Sequence, residues 1–402
     1  MVQEKMHLPL LRFSEFNGKW NLSSLSDITS LITKGTTPKR FSSEGVNFVK
    51  IESLDGVNII KSNCLLVDKE INDNELKRSI LEENDLLFAI AGATIGKLGI
   101  VNKSILPANT NQALAIIRLK DSSSVFFLLQ ILQSRVMKKY IEMNISVGAQ
   151  PNLNLQQIGN FSFYAPQLSE QQKIASFLTD VDTKITQLTK KKELIEQYKK
   201  GIMQQLFNQE LRFKDDDGND FPEWEEKSLG NLFQFKQGFQ FGVEQQSKNR
   251  FKDSVEFIRI INVTSDKADK RYVIDPGKEH HINKEDLFMV RYGDAGRVAN
   301  GFTGIIANNM FRLIPKSKIN EQFYFYTLSR LYNKIHTLSG SSTMPAISFG
   351  TIDKLKIKSP SIIEQTKIAN FLSDIDAKIE SVQSQIERSK TFKKGLLQQM
   401  FA

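Results

Sequence analysis

Glu170-Gln-Gln-Lys-Ile-Ala-Ser-Phe-Leu-Thr-Asp-Val-Asp-Thr-Lys-Ile185 returns almost unchanged as Glu364-Gln-Thr-Lys-Ile-Ala-Asn-Phe-Leu-Ser-Asp-Ile-Asp-Ala-Lys-Ile379, 194 residues later. The same offset holds where Lys199-Lys-Gly-Ile-Met-Gln-Gln-Leu-Phe207 matches Lys393-Lys-Gly-Leu-Leu-Gln-Gln-Met-Phe401. A fixed-offset repeat is the mark of a duplicated unit. It divides the 402 residues into an A–B–A′–B′ order. The B segments are nearly identical and the A segments diverged. Two copies held alike answer one demand twice, whereas diverged copies keep a scaffold and change the task.

Within B, from about Ser169 to Phe207, apolar residues fall at Ile174, Leu178, Val181, Ile185 and Leu188, in alternating steps of four and three. That is the spacing of a coiled-coil seam. The seam falters at Lys192 and Lys199 and returns through Ile195, Ile202 and Leu206. B′ repeats it through Ile368, Leu372, Ile375, Ile379, Val382 and Ile386, falters at Ser389 and Lys393, and returns at Leu396 and Met400. Each copy reads as one helix about 57 Å long at 1.5 Å per residue. Each follows a proline turn, at Pro166 or Pro360, with Ser169 as the expected cap of the first. An amphipathic helix of that length must cover its apolar stripe, so the two are expected to pack on each other, antiparallel. The alternative is that each packs on its own A domain.

The A segments echo one another more faintly. Leu11-Arg-Phe13 recurs as Leu211-Arg-Phe213, each with a tryptophan soon after, Trp20 and Trp224. Phe48-Val-Lys-Ile51 resembles Phe257-Ile-Arg-Ile260, and Asp85-Leu-Leu-Phe88 resembles Asp286-Leu-Phe-Met289. Gly92 and Gly96 have counterparts near Gly293 and Gly296, and Pro151 aligns with Pro345. Strands are expected at Val46–Ile51, Asp85–Ile90, Leu114–Leu119, Glu256–Ile261 and Met310–Ile314, with one closing helix per segment, around Ser124–Met143 and Asn320–Leu338. The fold class is α+β: two pseudo-repeated α/β domains, 1–166 and 211–360, alternating with two long helices, 167–210 and 361–402, packed as an antiparallel coiled coil.

Composition limits the chemistry. One cysteine, Cys64, excludes an internal disulfide or a thiolate-rich zinc site, and four histidines leave little for a metal cluster. The excess of 54 Lys+Arg over 45 Asp+Glu suits a polyanionic partner. The amino terminus lacks the apolar core of a secretory leader, and nothing reaches the ~18 apolar residues of a membrane span, so a cytoplasmic protein is expected. Gly92-Ala-Thr-Ile-Gly96-Lys97-Leu98 is one residue short of a phosphate loop and lacks its Ser/Thr, so it reads as a turn between strands. Asp182-Thr-Lys184 and Asp376-Ala-Lys378 resemble the end of a nuclease motif but read as solvated helix charge. No elbow serine, amino-methylation motif or acid–base constellation is found, so the chain is expected to be non-catalytic.

The loops suit nucleic acid. In A these are Lys34, Thr36, Thr37, Lys39 and Arg40 around Gly35, with Lys97; in A′, Lys236, Gln237, Gln240, Arg291, Tyr292 and Arg297. Arginine reaches guanine edges, Asn and Gln read adenine, and Lys holds phosphates. Singly each loop reads as ordinary surface; together, on a basic duplicated frame, they suggest a reader of two half-sites.

The A–B–A′–B′ order and the duplicated Glu-Gln-x-Lys-Ile-Ala-x-Phe-Leu-x-Asp-x-Asp-x-Lys-Ile helix start, preceded by Tyr164-Ala-Pro166 and Lys358-Ser-Pro360, resemble the specificity subunit of type I restriction-modification enzymes. Gly35-Thr-Thr-Pro38 and Gly92-Ala-Thr-Ile-Gly96 look like that family's recognition-domain turns. The resemblance spans essentially the whole chain. It implies that each A domain is a target-recognition domain reading half of an asymmetric bipartite double-stranded DNA target. The helices would set the spacer and dock two modification subunits, with restriction/translocase subunits as further partners. It implies no cofactor on this chain, S-adenosylmethionine, ATP and magnesium belonging to the partners. The rival reading is a non-catalytic coiled-coil scaffold that binds proteins only.

Overall fold

A computed structural model describes residues 9–121, 124–145, 151–265, 267–340 and 345–401. Residues 1–8, on which the leader reading fell, lie outside the described residues. The chain forms two compact units, one of residues 1–191 with 382–402 and one of residues 192–381.

In the first unit an antiparallel sheet orders its strands Thr29–Lys34, Leu114–Leu119, Leu86–Ala89 and Leu98–Ile100. Side chains alternate across a strand. Leu86 and Phe88 therefore enter a core shared with helices, while Leu87 and Ala89 enter a second cluster. That second cluster adjoins the sheet Leu65–Val67, Val46–Val49 and Ala108–Thr110. A ribbon of Asn21–Ser24 with Ser162–Ala165 leads into the long helix. The second unit repeats the plan. Its four-stranded sheet runs Phe233–Gln237, Met310–Pro315, Leu287–Val290 and Val298–Ala299, with Leu287 and Met289 on one face and Phe288 and Val290 on the other. Its second sheet orders Tyr272–Ile274, Ser254–Ile258, Gly304–Ile306 and His281–Ile282, and its ribbon pairs Glu225–Ser228 with Lys356–Ser359.

Several local expectations are corrected. Each closing helix is two: Val125–Gln133 then Arg135–Asn144, and Glu321–Arg330 then Tyr332–Thr337. Ser134 adopts an extended backbone and its hydroxyl accepts from the Val136 N–H at 3.2 Å, so it caps a new helix instead of continuing the old one. The strand expected through Ile261 stops at Ile258, and Ile260–Thr264 is a short helix. Ser169 lies inside its helix, which starts at Leu168, so it is no cap; in the second copy Ser361 does cap, its hydroxyl accepting from Glu364 at 3.4 Å.

The long helices span Leu168–Phe207 and Ile362–Met400. Each unit contains the first part of one and the last part of the other. In the first unit Trp20 donates to Glu170 at 3.3 Å and lies 6.5 Å from Phe401, while Asp182 meets Lys393 at 2.7 Å. Glu170 thus lies near residue 401 and Asp182 near 393, an antiparallel pair. In the second unit Trp224 donates to Glu364 at 3.1 Å and lies 6.3 Å from Phe207, while Asp376 meets Lys199. The paired arrangement and the packing of each helix on its own A domain therefore hold together: each stripe is covered by the other helix and by an A domain, as the joint burial of Leu178, Leu396 and Phe127 requires.

The faint Leu-Arg-Phe and tryptophan repeats acquire a cause. Arg12 donates to both oxygens of Glu170 at 2.7 Å and to the Gly18 carbonyl at 2.7 Å. Arg212 repeats this on Glu364 at 3.2 and 2.9 Å and on the Pro222 carbonyl at 2.8 Å. Both glutamates are fully buried, and a buried charge is tolerated only when paired and hydrogen-bonded.

Asp182 and Asp376 are not solvated helix charge. Asp182 accepts from Lys393 and from Gln130 at 3.1 Å. Asp376 accepts from Lys199 and from the Tyr326 hydroxyl at 2.7 Å. Burial first, then the neighbouring carboxylate, pushes the Tyr326 phenol up to about 12, so it remains the donor. Two of the lysines that break the apolar seam, Lys199 and Lys393, are thus the partners of these aspartates.

Candidate nucleic-acid interface

The two units share a backbone frame around their candidate loops. Ala89 N–H donates to the Lys97 carbonyl at 2.8 Å, as Val290 N–H does to Arg297 at 2.8 Å. Gly92 N–H donates to Pro151 at 3.0 Å, as Gly293 N–H does to Pro345 at 3.0 Å, and Leu153 reaches Ile90 as Ile347 reaches Arg291, at 2.9 and 3.0 Å. Lys34 pairs with Ala115 and Gln237 with Phe311, each at the end of its strand and each followed by glycine. The glycine is required by close approach. A Cβ at Gly35 would lie 1.7 Å from the Thr110 carbonyl oxygen, and one at Gly238 would lie 2.3 Å from that of Ala307. Backbone cannot yield as a side chain can. Gly35→Ala is expected to cost about 1–3 kcal/mol or more, measured by denaturant unfolding, with the 34–40 loop displaced.

In the first unit the Gly35 N–H donates to Asn111 at 3.1 Å, the Thr37 hydroxyl to Gln112 Oε1 at 2.6 Å, and Arg78 to the Thr36 hydroxyl at 3.0 Å. Lys39 is exposed and makes no ion pair among the described residues. Arg40, also exposed, meets Asp68 at 3.3 Å, a surface pair worth little. Lys97 is not brought to this loop by any contact: its ammonium donates to the Ile51 carbonyl at 3.1 Å.

The second unit gathers more. Gln237 takes a hydrogen bond from Arg291 Nη1 at 2.7 Å and donates to the Asn308 carbonyl at 2.6 Å; Gln240 accepts from Asn308 Nδ2 at 3.2 Å. Arg291 also donates through Nε to Ile347 at 3.2 Å and lies 4.6 Å over Phe349 and 5.0 Å over Tyr292. Its counterpart Ile90 is core in the first unit. Lys236 reaches the Glu279 carbonyl at 2.9 Å. Arg297 turns aside, paired with Asp294 and 5.4 Å over Tyr332. Burial pushes the Asp294 carboxyl up, but Tyr332 and Arg297 outweigh it and hold it below the usual range.

Sequence reasoning missed Asn308, Asn309, Arg259, Gln112 and Arg78. Asn308 follows the strand end at which Phe239 bridges to Ala307. Arg259 emerges at the same edge, because Ala307 N–H donates to Ile258 at 2.9 Å. Asn309 Oδ1 and Arg259 Nε are buried without hydrogen-bond partners among the described residues. The doubled Asn308-Asn309 after an apolar run was the available signal.

The model of the type I restriction modification DNA specificity domain matches residues 17–197 and again 222–388. The type I restriction enzyme MjaVIII specificity subunit of Methanocaldococcus jannaschii is 26% identical over 349 residues, covering 80% of this chain and 79% of the relative. The MjaIX specificity subunit of the same organism is 23% identical over 410 residues, covering 94% and 91%. In fold the chain is similar to the S subunit of a type I restriction-modification system from M. genitalium, with a TM-score of 0.63 at 16% identity over 98% of this chain and 99% of that one. Two matched segments on two equivalent frames leave one conclusion: the chain belongs to the type I restriction-modification DNA specificity family and carries its domain twice.

Proposed function

We propose that the chain selects a bipartite DNA target, one half-site per unit, and leaves methylation and cleavage to partner subunits. The observation that carries this is a shared backbone frame beneath unlike tips. Where the first unit presents Lys34, Thr36 and Thr37, the second presents Gln237 and Gln240 on Asn308, with Arg291 on Gln237. Equal scaffolds with unequal donor and acceptor sets are what two different half-sites require. The unpartnered Asn309 Oδ1 and Arg259 Nε support this reading, since a base edge or a phosphate would supply what they lack. Double-stranded DNA and two modification subunits, which bring S-adenosylmethionine, are then its partners; ATP and magnesium act on restriction subunits. The long helices serve as spacer and dock. No helix is long and apolar enough to cross a membrane among the described residues.

The chain, purified with its modification partner, is expected to retard one bipartite duplex far more strongly than a scrambled duplex of equal length in a mobility-shift titration. Equal retardation at moderate salt sinks the proposal, because non-specific affinity is mostly phosphate charge.

A further inference from the structure

The second unit holds a half-buried pair of arginines whose charge its described residues leave unbalanced. Arg259 follows the strand Ser254–Ile258, and Arg271 stands just ahead of its neighbour Tyr272–Ile274. The Phe257 N–H donates to the Arg271 carbonyl at 2.8 Å, which brings the two arginines close. Burial first, and repulsion from Arg271 next, hold the Arg259 pKa below its ordinary value, against the pull of Asp269. Asp269 is the carboxylate that acts on both, yet it is exposed, meets Arg271 at 3.9 Å and makes no ion pair with Arg259. Arg259 gives Nη2 to the Asp269 carbonyl at 2.5 Å, and Asn262 gives Nδ2 to the same oxygen at 3.3 Å, so the loop is pinned without a charge being neutralised. The Arg259 Nε–H is buried with no acceptor among the described residues. A buried donor left unpaired is a cost, and folding alone gives no reason for it.

The first unit has the same backbone without the excess charge. Its Lys50 N–H donates to Ser53 Oγ at 3.1 Å as the Arg259 N–H does to Asn262 Oδ1 at 3.0 Å, so Lys50 is the equivalent of Arg259. Lys50 meets Glu52 at 3.9 Å. Leu65, opposite Phe48, stands where Arg271 stands opposite Phe257. One cation with its own carboxylate thus takes the place of two that share one.

We infer that Arg259 and Arg271 clamp one backbone phosphate of the DNA at the second unit's half-site, a contact the first unit does not make at the equivalent place. The step rests on the specificity reading above. A phosphodiester oxygen accepts from the Arg259 Nε–H, and its negative charge balances both guanidiniums at once. A guanine edge offers acceptors but no charge, so it would leave the repulsion standing. The contact fixes the register of the second unit on the duplex and carries no sequence preference of its own.

The test is a mobility-shift titration of the chain with its modification partner, on duplexes carrying a neutral methylphosphonate at one phosphate at a time. Arg259→Ala is expected to lose about eightfold in affinity at 0.1 M salt, the share of one phosphate when log affinity falls by ~0.9 per decade of salt. The loss should be equal on all base-substituted duplexes, with the salt slope smaller by the same ~0.9. Wild-type chain should lose a similar factor from one methylphosphonate at the second unit's half-site, and Arg259→Ala should be indifferent to that substitution. Arg259→Lys should keep most of the salt slope, since a phosphate also accepts from an ammonium. Because one of two opposed charges is removed, the denaturant midpoint of Arg259→Ala should not fall; a lowered midpoint would overturn the imbalance on which the inference stands. Undiminished affinity of Arg259→Ala overturns the inference as well, and so does a loss confined to one base pair or a variant that responds to every methylphosphonate as wild type does. A wild-type chain that selects no bipartite duplex fails the specificity reading instead, a result separable from the others.

Discussion

Arg12→Ala is expected to cost the first unit about 3–5 kcal/mol, read as a lower denaturant midpoint for that unit. Glu170 is fully buried and takes both guanidinium bonds of Arg12 at 2.7 Å. Without them the Trp20 indole, at 3.3 Å, is the remaining hydrogen-bond donor to the carboxylate among the described residues. The loss is that of an orphaned buried charge rather than of a contact, because keeping an unpaired ion out of water costs more than the contact itself returns. Arg12→Ala with Glu170→Gln is therefore expected to be more stable than Arg12→Ala alone. A double variant no better than the single would mean that lost packing of the arginine stem decides the cost. Arg212→Ala, which strips the equally buried Glu364, should weaken the second unit by a similar amount.

Arg291→Ala is expected to weaken binding of the cognate duplex roughly 5- to 150-fold, the equivalent of ~1–3 kcal/mol for one bidentate base contact, and to relax preference at one position of one half-site. The guanidinium is already placed: two bonds, to Ile347 and Gln237, and the Phe349 ring fix its plane. Its remaining N–H groups need little further ordering to meet a base edge, which is how preorganisation raises affinity. Arg291→Lys should not rescue, since an ammonium has no planar fork. Gln237→Ala should add little to Arg291→Ala if it acts through the arginine. Duplexes substituted base by base across both half-sites provide the measurement. A uniform loss at every position, with the salt slope reduced by ~1, would make Arg291 a phosphate contact instead.

The long helices were legible because steps of three and four recur through Ile174, Leu178, Val181 and Ile185. Their polar interruptions were visible but not interpretable: the partner of Lys393 is Asp182, 211 residues away, and no local pattern reports such a contact. The breaks at Ser134 and Leu331 escaped notice because both lie inside continuous apolar periodicity. At the loops, the Gly35-Thr-Thr-Pro38 turn was legible, and the close approaches at Gly35 and Gly238 lie beside Lys34 and Gln237. Asn308 and Gln112 arrive in the turns between other strands, so sequence adjacency could not supply them. Lys97 and Arg297 looked alike to the other basic candidates, yet one is tied to a carbonyl and the other to Asp294. Composition records a cation and not its partner.

The first unit takes core residues Leu396, Met400 and Phe401 from beyond the second unit, and the Leu11 N–H donates to Gln399 at 3.0 Å. The second unit is continuous, from Lys192 to Ser381. On the ribosome the order of completion therefore inverts the order of synthesis. The half made first waits, its apolar surface open, until residues 396–401 are translated, and a stop codon ahead of them strikes the unit that was made first.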